Sequence, residues 1–116
     1  MAYGGIMMTT TPAFEGYRIV EYKGIVFDET ITGIGIKTTF KSFGDIFASF
    51  TGEQMHAVTE RINELKSELI SRLGSKAASL GANAIVGIDF ESTTSANGSA
   101  SIMVSANGTA VVIEKI

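Results

Sequence analysis

The 116-residue sequence predicts a single α+β domain in which one long helix covers one face of a small antiparallel sheet. Two observations lead to this fold class. Apolar residues recur at helical spacing between residues 55 and 80. Downstream, residues 84–91 and 101–113 alternate as strands do, with a polar turn at Asn97-Gly98 between them. The expected order is strand, edge arm, short helix, long helix and hairpin.

The N-terminal third predicts a strand and a short arm. Residues 17–28 alternate as a strand, and Gly24 interrupts the pattern as a bulge or a close backbone approach would. Residues 30–36 are β-branched with two glycines, which indicates a separate edge strand or hairpin arm. Residues 1–13 favour neither helix nor strand. We therefore expect an N-terminal lead-in over residues 1–13 and one domain over residues 14–116.

Two helical patterns follow. Four phenylalanines between residues 40 and 50 are spaced by three, four and three, which predicts a short helix. Three roles remain possible for these phenylalanines: core packing, an aromatic patch between subunits, or a surface on which a cofactor stacks. In the long helix, Thr51 is the expected N-cap with Gln54 three residues later, and Gly81 is the expected stop. The apolar stripe of the long helix comprises Met55, Val58, Ile62, Leu65, Leu69, Leu73, Ala77 and Leu80.

The strand after the long helix should turn one apolar face toward it. We expect this face to consist of Ala84, Val86, Ile88 and Phe90. Asp89 and Glu91 alternate with them and should lie on the face away from the helix. In the return strand, Asn107-Gly108 could be a second hairpin turn. Apolar residues keep the same alternation before and after this pair, which favours one continuous strand.

Composition argues against several functional classes. The net charge is −3 and the basic residues are scattered, so we expect no nucleic-acid partner. The sequence contains no cysteine, which excludes disulfides, thiolate metal sites and cysteine nucleophiles. No apolar run reaches the ~18 residues of a membrane helix, and no signal peptide is recognisable. We expect no membrane partner and, by default, a cytoplasmic protein.

Several stretches resemble the YbjQ-like family, which carries the label "putative heavy-metal-binding". They are residues 10–12, 15–22, 73–77, 80–89 and 108–111, and the run Leu-Gly-Ala-Asn-Ala-Ile-Val-Gly over 80–87 is the most specific. The resemblance implies a two-layer, dodecin-like strand-helix-strand-strand subunit that assembles as a closed homopentameric ring. It implies no established activity. Residues 48–53 lack the arginine that the family usually carries before the long helix.

Two sets of side chains are candidates for a divalent metal. Glu53 and His56 have the Glu-x-x-His spacing that places both on one helix face, and Glu60 follows four residues later. One helix supplies too few ligands, so symmetry mates would have to complete such a site. Asp89 and Glu91 could line a lumen or a cleft between subunits in a ring. For both sets the alternative is an ordinary solvated surface.

No catalytic residue is identifiable, because the single histidine has no identifiable aspartate to orient it and lies on a helix face that we expect to be exposed. We therefore expect a non-enzymatic oligomeric binding or scaffold protein that holds a metal cation or small ligand between subunits. The alternative is a metal-dependent enzyme with a site between subunits. A purely structural oligomer is a third interpretation.

Overall fold

The computed structural model describes residues 2–3, 5–37, 52–95 and 99–116. In chain order the elements are β1 (Ala2–Tyr3), β2 (Ile6–Met8), β3 (Tyr17–Lys37), α1 (Gly52–Ser79), β4 (Ala84–Ser95) and β5 (Ser99–Lys115). The strands form one sheet in the order β1-β2-β4-β5-β3. The expected α+β class is confirmed. The sheet is mixed rather than purely antiparallel, because β2 runs parallel to β4.

The expected lead-in over residues 1–13 contributes two strands to the sheet. Ile6 and Met8 are buried in the core, and Met7 pairs with Ala84 of β4. The Thr9 amide also donates to the carbonyl of Ile85, at 3.1 Å. A three-residue strand is too short to show a period of two, and its partner lies far along the chain. The composition of the segment therefore gave no signal of its pairing.

The separate edge arm expected over residues 30–36 is wrong, because these residues end the single 21-residue strand β3. Strand β3 pairs antiparallel with β5 from Tyr17↔Lys115 to Lys37↔Ser99. The continuous strand favoured around Asn107-Gly108 is confirmed as β5. Because β5 is unbroken, it supplies a pairing partner along β3. Of the two alternatives for Gly24, the structure shows the bulge, because the register shifts between Tyr22 and Gly24.

The long helix buries the predicted stripe against the sheet. Its buried members are Val58, Leu65, Leu69, Leu73 and Ala77. Leu80 is 45% exposed instead, because the helix ends at Ser79. Gly81 has φ +83°, and the amides of Gly81 and Ala82 donate to the carbonyls of Ala78 and Ala77. This pattern is the Schellman motif, so the predicted glycine stop is confirmed.

A bulge in β4 changes which residues face the helix. Ile85 and Ile88 pack in the cluster under α1, whereas Ala84 and Val86 belong to a cluster on the opposite face. The expected single face of Ala84, Val86, Ile88 and Phe90 is therefore wrong. Gly87, with φ +64°, lies where the β4–β5 register shifts, and one extra residue there reverses the alternation.

We call the sheet face away from α1 the open face. Phe14 and Tyr17 cover one end of it, with their rings edge to face at 6.3 Å. Further along β3, several large apolar side chains remain exposed: Val20, Tyr22, Ile25, Phe27 and Ile31. The phenylalanine stripe, the Thr51 cap, the Asn97-Gly98 turn and the side chain of Met55 lie outside the described residues. No helix in the described part of the chain is long and apolar enough to cross a membrane.

Candidate functional site

The helix brings His56 and Glu60 together, as their spacing predicts. Nε2 of His56 lies 3.0 Å from Oε1 of Glu60, and the two side chains are 74% and 63% exposed. The contact is an ion pair only when the imidazole is protonated, and pairs this exposed contribute little to stability. The side chain of Glu53 is outside the described residues. The structure thus shows two of the three expected ligands side by side on a solvated helix face.

Asp89 and Glu91 lie on the open face, because Phe90 between them packs toward the helix cluster. The strand register places other polar side chains beside them. Asp89 is opposite Asn107, which is opposite Phe27 on β3. Each of these carboxylates thus belongs to a row of three side chains that crosses β4, β5 and β3. We call them the acidic rows: one consists of Asp89, Asn107 and Phe27, and the other of Glu91, Ser105 and Glu29.

A cleft of about 420 Å³ opens beside the acidic rows at the edge of the sheet. Its lining residues are Phe27, Asp28, Glu29, Lys76, Ser105, Ala106 and Asn107. Nζ of Lys76 donates to the carbonyl of Phe27 at 3.0 Å and lies 4.0 Å from the Asp28 carboxylate. Arg72 lies 3.9 Å from the same carboxylate. Asp28 is thus held by cations of α1, whereas Glu29 carries no such contact among the described residues.

A second concavity of about 420 Å³ lies between the helix, β4 and the N-terminal segment. It is lined by Met8, Thr9, Thr10, Phe14, Ile70, Ile88 and Phe90. None of these side chains is ionisable near neutral pH. At its border, Nζ of Lys66 lies 5.8 Å from the centre of the Phe90 ring. This groove could take an apolar group, but its lining offers no general acid, base or nucleophile of the usual kinds.

The donor set limits which metals the chain could hold. Soft metal ions prefer thiolate ligands, and the sequence contains no cysteine. Carboxylates instead suit hard cations such as Mg²⁺, Ca²⁺ or Mn²⁺. Within the described ranges, no group of three or more His, Asp or Glu side chains could hold a metal ion. A thiolate site for a soft metal ion therefore does not fit this chain. A hard-cation site needs ligands that the described part of one copy does not bring together.

Sequence reasoning missed the part that Asn83 plays. Its carboxamide donates to the carbonyl of Ile113 at 3.0 Å and accepts from the amide of the same residue at 2.8 Å. Its own amide donates to Val111, and its carbonyl accepts from Met7. Asn83 thus joins the end of the helix to β2 and β5. The run over residues 80–87 is explained by this junction, and the asparagine just after the glycine stop was the available signal.

Comparison with known proteins places these features in context. A YbjQ family model described as "Putative heavy-metal-binding" matches residues 6–114. A UPF0145 protein of Clostridium kluyveri is 40% identical over 114 residues, covering 94% of this chain and 100% of the relative. One from Listeria ivanovii is 36% identical over 109 residues, covering 94% and 96%.

A solved structure from Pediococcus pentosaceus shares the fold. It is described as a protein of unknown function of the DUF74 family. Its TM-score is 0.63 at 21% identity, with 95% of this chain and 99% of that chain covered. At this identity the likeness bears on the fold alone.

Proposed function

This chain belongs to the YbjQ family, and we propose that it is a non-enzymatic, homo-oligomeric binding or scaffold protein that holds a hard divalent cation or a small ligand between subunits. The proposed assembly is a closed, dodecin-like ring, and five copies is the number implied by the family resemblance. The cytoplasmic location expected from the sequence stays a prediction.

The observation that carries the proposal is the position of Asp89 and Glu91. Both residues are exposed on the open face. They lie on β4, and beyond Ile88 the edge of β4 opposite β5 pairs with no described residue. Hard cations take six or more oxygen ligands, and a single copy gathers fewer than three acidic or histidine ligands in its described part. A second copy beside β4 is the simplest source of the missing oxygens.

Exposed apolar side chains on β3 support the oligomer. Tyr22, Ile25, Phe27 and Ile31 are each between 66% and 72% exposed on the same strand. Contiguous apolar patches on a soluble monomer are seldom large, and larger ones mark interaction sites. Covering these side chains with another copy would remove them from water.

The alternative is a metal-dependent enzyme with a site between subunits. Catalytic sites usually contain titratable groups whose environment shifts their pKa, most often through burial. The described part of the chain contains no buried polar or charged residue. This favours a binding role, because any catalytic environment would have to be created by assembly.

The experiment combines native mass spectrometry with Mn²⁺ titration. We expect an oligomer at micromolar concentration and saturable Mn²⁺ binding by calorimetry. Asp89→Asn/Glu91→Gln should weaken binding at least about tenfold, about 1.4 kcal/mol. The matched control His56→Ala/Glu60→Gln, which alters the other candidate set, should bind like the wild type. A monomer, or equal losses in both variants, would contradict the proposal. Turnover that depends on Mn²⁺ would favour the enzyme.

A further inference from the structure

We propose that neighbouring copies join edge to edge, with β3 of one copy pairing in parallel with residues 89–95 of β4 in the next. The inference rests on the homo-oligomer of the proposed function and names the contact that builds it. It goes beyond a patch of apolar surface, because each strand has one side that pairs with no described residue, and these two sides lie at opposite edges of the same sheet.

The first unpaired edge is β3. In the sheet order it has β5 on one side and no described strand on the other. Its register shifts lie between Ile19 and Gly24 and again after Gly33. From Ile25 to Gly33 the pairing is regular, and this stretch contains no proline or lysine. Bulges, proline and lysine are the usual protections of an edge strand. Nζ of Lys76 on α1 donates to the carbonyl of Phe27, so residues 28–33 are the regular part of this edge that carries none of these protections and is suited to pairing with another chain.

The second unpaired edge is the far half of β4. Strand β2 pairs only with Ala84 and Ile85. The amides of Gly87 and Ile88 then donate to the carbonyls of Thr11 and Thr9. Beyond Ile88, residues 89–95 pair with β5 on one side and with no described residue on the other. Seven residues are enough for a typical strand pair.

Strand direction decides which edges meet. β3 and β4 are both antiparallel to β5, so they run parallel to each other. A neighbour rotated about an axis along the strands would bring its β3 beside β4 in the same direction. Each copy then uses two different surfaces, and such contacts close into a ring when the rotation allows. A two-fold pairing of β3 with β3 would end at a dimer and leave β4 open.

The same arrangement accounts for the open face. Helix α1 covers the other side of the sheet, so in a ring that carries the helices on its outside the open face would lie inside. Ile25, Phe27 and Ile31, which are exposed in one copy, would then line the interior of the assembly. Asp89 and Glu91 would lie at each seam, where the proposed cation ligands are needed.

The absence of cysteine allows a clean cross-linking test. Pairs combine Phe27→Cys or Ile31→Cys on β3 with Glu91→Cys or Thr93→Cys on β4, and the four combinations sample the register. Within one copy β5 separates the two strands, so the backbones lie about 10 Å apart. A disulfide needs Cα atoms within about 7 Å, so only bonds between copies can form.

After diamide oxidation, we expect at least one double variant to give a ladder of covalent oligomers that dithiothreitol reverses. The single-cysteine variants should remain monomeric on denaturing gels, as should the control pair Phe27→Cys/Glu60→Cys. Circular dichroism checks that each variant folds. Dimers from Phe27→Cys or Ile31→Cys alone would show two-fold pairing and overturn the inference. An oligomer in native mass spectra without any cross-linked pair would overturn this contact while leaving the proposed function standing.

Discussion

Replacing Gly108 with alanine should destabilise the protein, because the added methyl group would enter the contact between β5 and β4. Its Cβ would lie 2.6 Å from Cγ2 of Ile85, 3.1 Å from Cγ1 of Ile88 and 3.3 Å from the carbonyl oxygen of Val86. Ile85 is fully buried. Its Cγ2 is bonded directly to Cβ of a stiff β-branched side chain, so no flexible end can swing away.

Two terms set the magnitude. Forcing an extra methyl group into a well-packed core costs about 1–3 kcal/mol. Gly108 is not among the glycines with positive φ, so alanine can adopt its backbone conformation. At such a position alanine returns about 0.4–1 kcal/mol by restricting the unfolded chain. We therefore expect a net loss of roughly 1–2 kcal/mol in the free energy of unfolding.

Urea denaturation followed by far-ultraviolet circular dichroism measures this loss, at one fixed protein concentration because assembly affects apparent stability. The matched variant is Ile85→Leu, which removes Cγ2 at nearly constant volume and should cost less than about 1.5 kcal/mol. The double variant should lose less than the sum of the two single losses. Wild-type stability in Gly108→Ala, or strict additivity in the double variant, would refute the packing argument.

Two further substitutions test the core and the junction after the helix. Leu65→Ala should cost about 2–5 kcal/mol, because Leu65 is 1% exposed. Leu80→Ala should change stability by about 0.5 kcal/mol or less, because that side chain is 45% exposed. Urea denaturation compares the two, and similar losses would show that the buried helix face is misassigned. Asn83→Ala should cost about 1–3 kcal/mol by leaving both backbone groups of Ile113 without their partner. Hydrogen exchange at the Ile113 amide should accelerate, and unchanged protection would contradict this role.

The correct fold predictions depended on signals that are local in the chain. The apolar stripe from Val58 to Ala77 repeats once per helical turn, so it identifies the buried face without knowledge of the partner. Gly81 ends the helix through hydrogen bonds that reach back only five residues. The proximity of His56 and Glu60 follows from the same helical geometry.

The incorrect predictions concern strands, whose partners are remote. The bulge at Gly87 inserts one extra residue into β4 and thereby reverses its side-chain alternation. A strict alternation assumed from the sequence does not contain this insertion, so it assigns the residues before the bulge to the wrong face. Strand β2 is three residues long and is stabilised by pairing with β4 rather than by its own pattern. The arm at residues 30–36 continues β3 because β5 extends far enough to pair with it.

The candidate site divides in the same way. Alternation alone predicted that Asp89 and Glu91 lie away from the helix, and the packing of Phe90 agrees with that. Their neighbours Asn107 and Ser105 come from β5, and these are set by the pairing register.

The sequence by itself determined the class of the domain, the long helix with its buried stripe and glycine stop, and the absence of thiol chemistry. These properties depend on composition and on periods that repeat within a few residues. Only the tertiary structure decided the mixed sheet, the bulge that turns Ile88 toward the helix, and the two strand edges that pair with no other described strand. Strand pairing joins backbone groups distant in sequence, and which groups meet depends on the register that the whole sheet adopts.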